Sequence, residues 1–147
     1  MQEEYIHIIL ADDDEDDRMF FTEAFDELKI NTKVQTFKDG VHLMDYLNAD
    51  NTLPNVLFLD LNMPRKNGMQ CLKEIKENSK FNDIAIAIYS TSASEDDIEN
   101  TFILGANIYI KKPSNFGMLK KVLSQVVTIN WQYHTNSLNK DNFLLRL

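Results

Sequence analysis

Cysteine is almost absent from this chain of 147 residues, which contains only Cys71. A single cysteine cannot form an intramolecular disulfide, and it cannot supply the several thiolates of a zinc or iron–sulfur site. The amino-terminal sequence MQEEYIHIIL carries acidic residues where a secretory signal would carry Lys or Arg, and its apolar run is short. These absences indicate a reducing compartment, and we expect the protein in the cytoplasm.

Glycine and positive charge are also scarce. The four glycines lie too far apart to form the phosphate-binding loop of a Rossmann or P-loop nucleotide site. Lys and Arg number 15 against 23 Asp and Glu, which gives a formal net charge of −8. This charge repels nucleic-acid phosphates and anionic membranes, so we expect neither as a partner. An apolar fraction of 44% in a chain of this length is typical of one globular domain that remains soluble.

Short runs of β-branched and aromatic residues alternate with amphipathic stretches along the chain. These runs predict five strands, over residues 6–10, 34–37, 56–59, 84–89 and 108–110. Apolar residues at helical spacing, such as Phe21, Ala24 and Phe25, predict helices between the strands. The run NVLFLD is apolar without alternation, which is typical of a strand buried on both faces. The pattern therefore predicts an α/β fold, (βα)5, with a doubly wound parallel sheet of five strands.

Reactive side chains follow the ends of four predicted strands: Asp12 and Asp13, Asp60, Ser90, and Lys112. Because ligands of open parallel sheets bind beyond the carboxyl ends of the strands, we expect these side chains to meet at one edge. Carboxylates that meet there repel one another unless a cation neutralises them, and their oxygen ligands suit Mg²⁺. With a metal and a lysine beside it, an Asp carboxylate can act as a nucleophile toward phosphorus.

These residues resemble a known family, the receiver domains of two-component response regulators, over residues 5–130. Asp12 and Asp13 are similar to the acid pair of the family. Asp60, in LFLDLNMPRKNG, is similar to the residue that is phosphorylated, and the metal-binding backbone carbonyl falls on Asn62. The resemblance therefore implies phosphorylation of Asp60 by a sensor histidine kinase, with Mg²⁺ bound by Asp12, Asp13, Asp60 and Asn62.

The resemblance extends through the second half of the chain. Ser90 aligns with the switch hydroxyl, and Lys112 aligns with the lysine of the family. Tyr109 resembles the aromatic residue that swings inward when the hydroxyl turns toward the phosphoryl group. The bond from Lys112 to Pro113 is a candidate cis peptide bond. The implied fold is flavodoxin-like with strand order 2-1-3-4-5, and the motifs FKDGVHLMDYL and NADNTLPN resemble free-standing receivers of the phytochrome-partner type.

A C-terminal tail, residues 131–147, follows the predicted receiver domain of residues 1–130. The tail is too short for a winged-helix output domain, so we expect signalling through contact with a downstream protein whose identity the sequence does not give. The apolar residues of the tail are Trp131, Tyr133, Phe143, Leu144, Leu145 and Leu147. They either fold back on the domain or form a surface for a partner or a homodimer.

Other interpretations of the same residues are open. Residues 14–17 can cap the first helix, where acidic residues are favoured, and Tyr109 can be a static edge aromatic. A haloacid-dehalogenase-like phosphatase also uses an Asp nucleophile and Mg²⁺, but its D-x-D signature would need an acid where this chain has Asn62. A receiver-like scaffold that binds partners without phosphorylation is the third alternative. The full set of reactive groups favours a phosphorylated receiver that catalyses its own phosphorylation and dephosphorylation but is otherwise not an enzyme.

Overall fold

Five strands alternate with five helices in the computed structural model, which describes residues 5–128 together with residues 143 and 144. The strands are β1 (Ile6–Ala11), β2 (Thr32–Phe37), β3 (Val56–Leu59), β4 (Ala85–Ser90) and β5 (Ile108–Lys111). The helices are α1 (Glu15–Glu27), α2 (Gly40–Asn48), α3 (Gly68–Lys76), α4 (Glu95–Ile103) and α5 (Phe116–Thr128). A short 3-10 helix, Ser79–Phe81, precedes β4. In the described part of the chain, no helix has the length and apolar character that crossing a membrane requires.

The strands form one parallel sheet in the order β2-β1-β3-β4-β5. The predicted doubly wound fold and its strand order are therefore confirmed. The third strand has the predicted bounds, but β2 begins two residues earlier than predicted, at Thr32. Thr32 and Lys33 extend the strand because they pair with Ile6 and His7 of β1, which is a contact that local sequence does not reveal.

Alternate residues of the central strand β3 enter two different apolar cores. Leu57 and Leu59 belong to the core that includes residues of α2 and α3. Val56 and Phe58 belong to the core that includes residues of α1 and α5. Both faces of the sheet are thus covered, which explains why the sequence of β3 is apolar at every position.

Polar caps fix the helices that begin at the carboxyl edge of the sheet. The Asp14 side chain accepts a hydrogen bond from the backbone N–H of Asp17 at the start of α1. Asn67 and Gln70 form a capping box at the start of α3, where each side chain accepts from the backbone of the other. The capping role predicted for the acidic run is therefore present at Asp14.

Two residues of the C-terminal tail are described, and both lie against the domain. Phe143 is fully buried in the core that includes α2 and α3. Leu144 forms a parallel bridge with Tyr109 of β5. The other apolar residues of the predicted tail surface, Trp131, Tyr133, Leu145 and Leu147, lie outside the described residues.

Candidate metal centre at the carboxyl edge of the sheet

Three carboxylates meet where β1 and β3 end. Asp12 and Asp13 directly follow β1, and Asp60 directly follows β3. One carboxylate oxygen from each residue lies within 4.8 Å of those from the other two. Asp12 and Asp60 are buried, whereas Asp13 is exposed. The structure therefore brings together the three side chains that the sequence predicts as metal ligands.

Backbone contacts hold Asp60 and the loop that follows it in place. The N–H of Asp60 donates to the carbonyl of Ala11, at an N–O distance of 3.0 Å. Gly68 packs so closely behind this position that an added Cβ atom would lie 2.1 Å from the Asp60 carbonyl oxygen. Only glycine fits there, and its N–H donates to the Leu61 carbonyl at 3.0 Å, which closes the loop between β3 and α3.

Burial makes the charged forms of these carboxylates unfavourable. It raises the pKa of Asp60 to about 6, with a further contribution from the neighbouring charge of Asp12. The pKa of Asp12 is also raised, mainly by burial. A divalent cation would oppose both effects because it favours the ionised carboxylates.

The hydrogen bonding of Asp12 also fits a bound cation. Its Oδ1 accepts from the backbone N–H of Asp14 at 3.0 Å. Its Oδ2 is buried and accepts no aligned hydrogen bond from the residues that the structure describes, although the Nζ of Lys112 lies 2.8 Å away. A buried carboxylate oxygen with spare acceptor capacity, in a cluster of oxygen ligands, suits a hard divalent cation.

Lys112 is the lysine that reaches the cluster. Its Nζ lies 2.8 Å from an oxygen of Asp12, 2.8 Å from an oxygen of Asp17 and 3.6 Å from an oxygen of Asp60. Burial disfavours its charged form, but the close contacts with the carboxylates of Asp12 and Asp17 outweigh burial and hold the pKa of Lys112 above its ordinary value. Lys111 is exposed. The assignment of the reactive lysine to Lys112 rather than Lys111 therefore agrees with the geometry.

The prediction of a cis bond between Lys112 and Pro113 was wrong. The part of the chain that includes this bond contains no cis peptide bond. The direction of the lysine side chain is instead fixed by its carboxylate contacts and by the backbone N–H of Lys112, which donates to the Ser90 carbonyl at 2.8 Å. The Nζ also lies 5.4 Å from the ring centroid of Tyr89, which adds a cation–π contact.

The predicted switch residues lie on β4 and β5, the two strands that follow β3 in the sheet. Ser90 ends β4 and is fully buried, and its hydroxyl accepts from the backbone N–H of Ser92 at 3.2 Å. Tyr109 is also fully buried, and its hydroxyl donates to the Ser92 carbonyl at 2.6 Å. Burial raises the pKa of Tyr109. The tyrosine ring is therefore directed inward and is not an exposed edge aromatic.

Asn62 contributes to the site through its backbone. Its N–H donates to Oδ1 of Asp60 at 3.2 Å, which orients the carboxylate. The Asn62 side chain is exposed. The role of its carbonyl oxygen as a metal ligand stays a prediction.

Asp17 belongs to the site, although the sequence predicts for it only a role in capping the first helix. Its side chain lies on Lys112, which is 95 positions away along the chain. The available signal was the helical spacing, because Asp17 precedes the buried residues Phe21 and Ala24 by four and seven positions and so lies on the same face of α1. An acidic residue on the apolar face of a helix calls for a buried partner.

Comparison with known proteins identifies the same fold and family. Residues 8–124 match the family model described as Response regulator receiver domain. Response regulator Rcp1 of Synechocystis sp. is 30% identical over 124 residues, which cover 81% of this chain and 84% of Rcp1. Probable methanogenesis regulatory protein FilR2 of Methanothrix harundinacea is 28% identical over 123 residues, which cover 81% of this chain and 79% of FilR2.

Solved structures agree with this match. The Mn(2+)-bound form of response regulator Rcp1 superposes with a TM-score of 0.78 at 29% identity, covering 85% of this chain and 97% of that one. The phosphorylated cyanobacterial phytochrome response regulator RcpA superposes with a TM-score of 0.79 at 29% identity, covering 92% of this chain and 98% of that one. Since the family model spans most of the sequence and the acidic cluster occupies the carboxyl edge of the sheet, the chain belongs to the response regulator receiver domain family.

Proposed function

We propose that this receiver accepts a phosphoryl group on Asp60 from the phosphohistidine of a sensor histidine kinase. An oxygen of the Asp60 carboxylate forms a bond to phosphorus, and the bond from phosphorus to the imidazole nitrogen of the donor breaks, which returns the histidine. The observation that carries the proposal is the cluster of Asp12, Asp13 and Asp60, whose carboxylate oxygens lie within 4.8 Å of one another. Similarity to a structure of phosphorylated RcpA supports the same chemistry here.

Mg²⁺ is the proposed cofactor. Asp12, Asp13, Asp60 and the carbonyl of Asn62 would hold it, and when bound it neutralises the carboxylates and a phosphoryl oxygen. Support comes from the buried Oδ2 of Asp12, which has spare acceptor capacity, and from similarity to a Mn(2+)-bound structure of Rcp1. Mg²⁺ takes a few carboxylates and keeps water and phosphate ligands, which matches a cluster that is partly open at Asp13.

Residues at the ends of β4 and β5 can stabilise the remaining charge of the phosphoryl group, because Ser90 ends β4 and Lys112 directly follows β5. The ammonium of Lys112, 3.6 Å from Asp60, is positioned to donate to one phosphoryl oxygen. The hydroxyl of Ser90 accepts from Ser92 and retains its own proton, which it can donate to another phosphoryl oxygen. The proposed catalytic residues are therefore Asp60 as the nucleophile and Lys112 and Ser90 as hydrogen-bond donors. Ser90 and Tyr109 form the proposed switch.

The proposed output is protein contact through the face formed by α4, β5 and α5. A shift in the equilibrium between two arrangements of Ser90 and Tyr109 would change that face for a downstream protein or a homodimer. The donor kinase would be of the phytochrome type, since RcpA is described as a phytochrome response regulator. We propose a signalling role without turnover of external substrates, which the family match supports. The net charge of −8 argues against a nucleic-acid or membrane partner, and the low cysteine content fits a cytoplasmic location.

The phosphatase alternative is not favoured. Its signature needs an acid two residues after the nucleophile, and this position is Asn62. The family match and the cluster at the end of β3 both fit a receiver instead. The scaffold alternative predicts that the chain is never phosphorylated.

Intact-mass analysis after incubation with acetyl phosphate tests the proposal. We expect the wild-type chain to gain one phosphoryl group with Mg²⁺ and none when the metal is chelated. Asp60→Asn should abolish the gain, whereas Asp50→Asn, which removes an exposed acid before β3, should leave it unchanged. Equal labelling of the Asp60→Asn variant, or no labelling of the wild type, would contradict the assignment, and steady hydrolysis of a phosphomonoester would favour the phosphatase.

A further inference from the structure

Phe143, near the end of the sequence, packs in the core beside the switch residue Tyr109. It is fully buried. Its ring centroid lies 5.3 Å from that of Phe102 of α4 and 6.2 Å from that of Tyr109 of β5, and both pairs are edge-to-face. Aromatic pairs of this geometry add to the free energy gained by burying the rings. The contact is therefore specific in geometry and not a loose covering of an apolar surface.

The next residue, Leu144, forms an isolated bridge at the edge of the sheet. Leu144 forms a parallel bridge with Tyr109, and it packs partly buried against the same core. β5 is the last strand in the described sheet, so its outer backbone edge would otherwise be open to pairing with another chain. Phe143 and Leu144, which we call the C-terminal clasp, thus contact both the ring of Tyr109 and the strand edge at Tyr109.

A short chain of contacts connects the clasp to the catalytic hydroxyl. Phe143 packs on Tyr109, and the hydroxyl of Tyr109 donates to the Ser92 carbonyl at 2.6 Å. The N–H of Ser92 in turn donates to the hydroxyl oxygen of Ser90 at 3.2 Å. A rearrangement that expels the tyrosine ring would therefore remove the surface on which the clasp lies, and one that turns the Ser90 hydroxyl away would break its hydrogen bond with Ser92.

We propose that the C-terminal clasp docks within its own chain to hold Tyr109 in the buried position, and that docking and phosphorylation of Asp60 strengthen each other. The second half of this statement rests on the proposed function. In the proposed switch, Tyr109 lies inward when the Ser90 hydroxyl holds the phosphoryl group, and the inward ring is the one on which Phe143 packs edge-to-face. Because the coupling is thermodynamic, each event must favour the other by the same factor.

Hydrogen exchange of the full-length chain tests the docking itself. Phe143→Ala should speed exchange of the backbone amides of β5 and of the peptide that contains Leu144, without any activator. The matched control is Ile103→Ala, since Ile103 adjoins Phe102 on α4 but is 69% exposed. Docking is contradicted if Phe143→Ala and wild type exchange alike in β5 and the tail, or if Ile103→Ala speeds exchange as much.

The coupling has a separate readout with beryllofluoride and Mg²⁺, which mimic the phosphoryl group. We expect the mimic to slow exchange of the Leu144 peptide by about five-fold, and Phe143→Ala to weaken binding of the mimic by about the same factor. Tyr109→Phe, which keeps the ring but removes the hydrogen bond to Ser92, should retain docking yet reduce the coupling. Labelling of Asp60 with no change in tail exchange would overturn the coupling alone, whereas failure of labelling would overturn the proposed function.

A dilution series shows whether the clasp that contacts Tyr109 belongs to the same chain or to a second copy. Protection of the Leu144 peptide that is independent of protein concentration supports docking within one chain. Protection that disappears on dilution, in parallel with dissociation of a dimer measured by light scattering, would show that the clasp comes from a second copy and would overturn the proposal.

Discussion

The middle of β3 and the position directly after it differ in the kind of side chain that they bury. Leu57 and Phe58, in the middle of β3, are fully buried apolar residues between helices. Asp60, two positions after Phe58, is also buried, but burial raises the pKa of its carboxyl group to about 6. The apolar cores lower the free energy of the fold, whereas the carboxyl edge keeps charges where they are costly. A receiver thus concentrates its chemistry at the position where its sheet departs from the rule of apolar burial.

The largest expected effect is on the core side of this comparison. Phe58 packs edge-to-face on Phe21, with ring centroids 5.0 Å apart. Phe58→Ala should lower the free energy of unfolding by about 3–5 kcal/mol, because it removes a buried ring and leaves a cavity. Phe20→Ala makes the same chemical change at a residue that is 45% exposed and should cost far less. Equal losses for both variants in urea denaturation would contradict the assigned core.

At the carboxyl edge of the sheet, we predict that the buried carboxylates make the metal-free protein less stable as pH rises. The pKa of Asp60 is raised from 3.8 to about 6, so between these values the folded chain binds more protons than the unfolded chain. Its unfolding free energy should therefore fall by roughly 2 kcal/mol as pH increases from 4 to 6. Asp60→Asn should remove this part of the pH dependence, and Mg²⁺ should reduce it. An identical pH profile for wild type and variant, from denaturant titrations, would refute the raised pKa.

The positions of Phe58 and Asp60 in the fold could be predicted from the sequence. The sequence predicted the bounds of β3 because an unbroken apolar run is a local signal, and it predicted Asp12, Asp13 and Asp60 at one edge because strand ends of a parallel sheet meet. It could not predict the start of β2, since Thr32 is a strand residue only through pairing with β1.

The missed parts of the site depend on contacts between distant parts of the chain. Asp17 has the residue type and position of a helix cap, and only its contact with Lys112 reveals a second role. Likewise, the apolar tail left folding back and partner binding equally open, and the packing of Phe143 on Tyr109 favours folding back. In both cases the sequence shows a suitable side chain but not its partner.

The smallest expected effect concerns the orientation of the lysine. Asp17 accepts a hydrogen bond from the ammonium of Lys112 at 2.8 Å, so Asp17→Asn should slow labelling by acetyl phosphate about five-fold through loss of preorganisation. Asp16→Asn removes the same charge at an exposed position of α1 and should have little effect. In a Lys112→Ala background, Asp17→Asn should have no further effect. Additive losses in this double-mutant cycle would show that Asp17 does not act through Lys112.

The most direct test of the account is a calorimetric titration with Mg²⁺ at neutral pH. The proposed metal centre requires that Asp12, Asp13 and Asp60 together hold one divalent cation beside Lys112. We predict binding at a single site in the wild type, strong weakening in Asp13→Asn, which changes an exposed ligand and should leave the core intact, and unchanged binding in Asp50→Asn. Equal Mg²⁺ affinity of the wild type and Asp13→Asn, or no binding by the wild type, would contradict the claim.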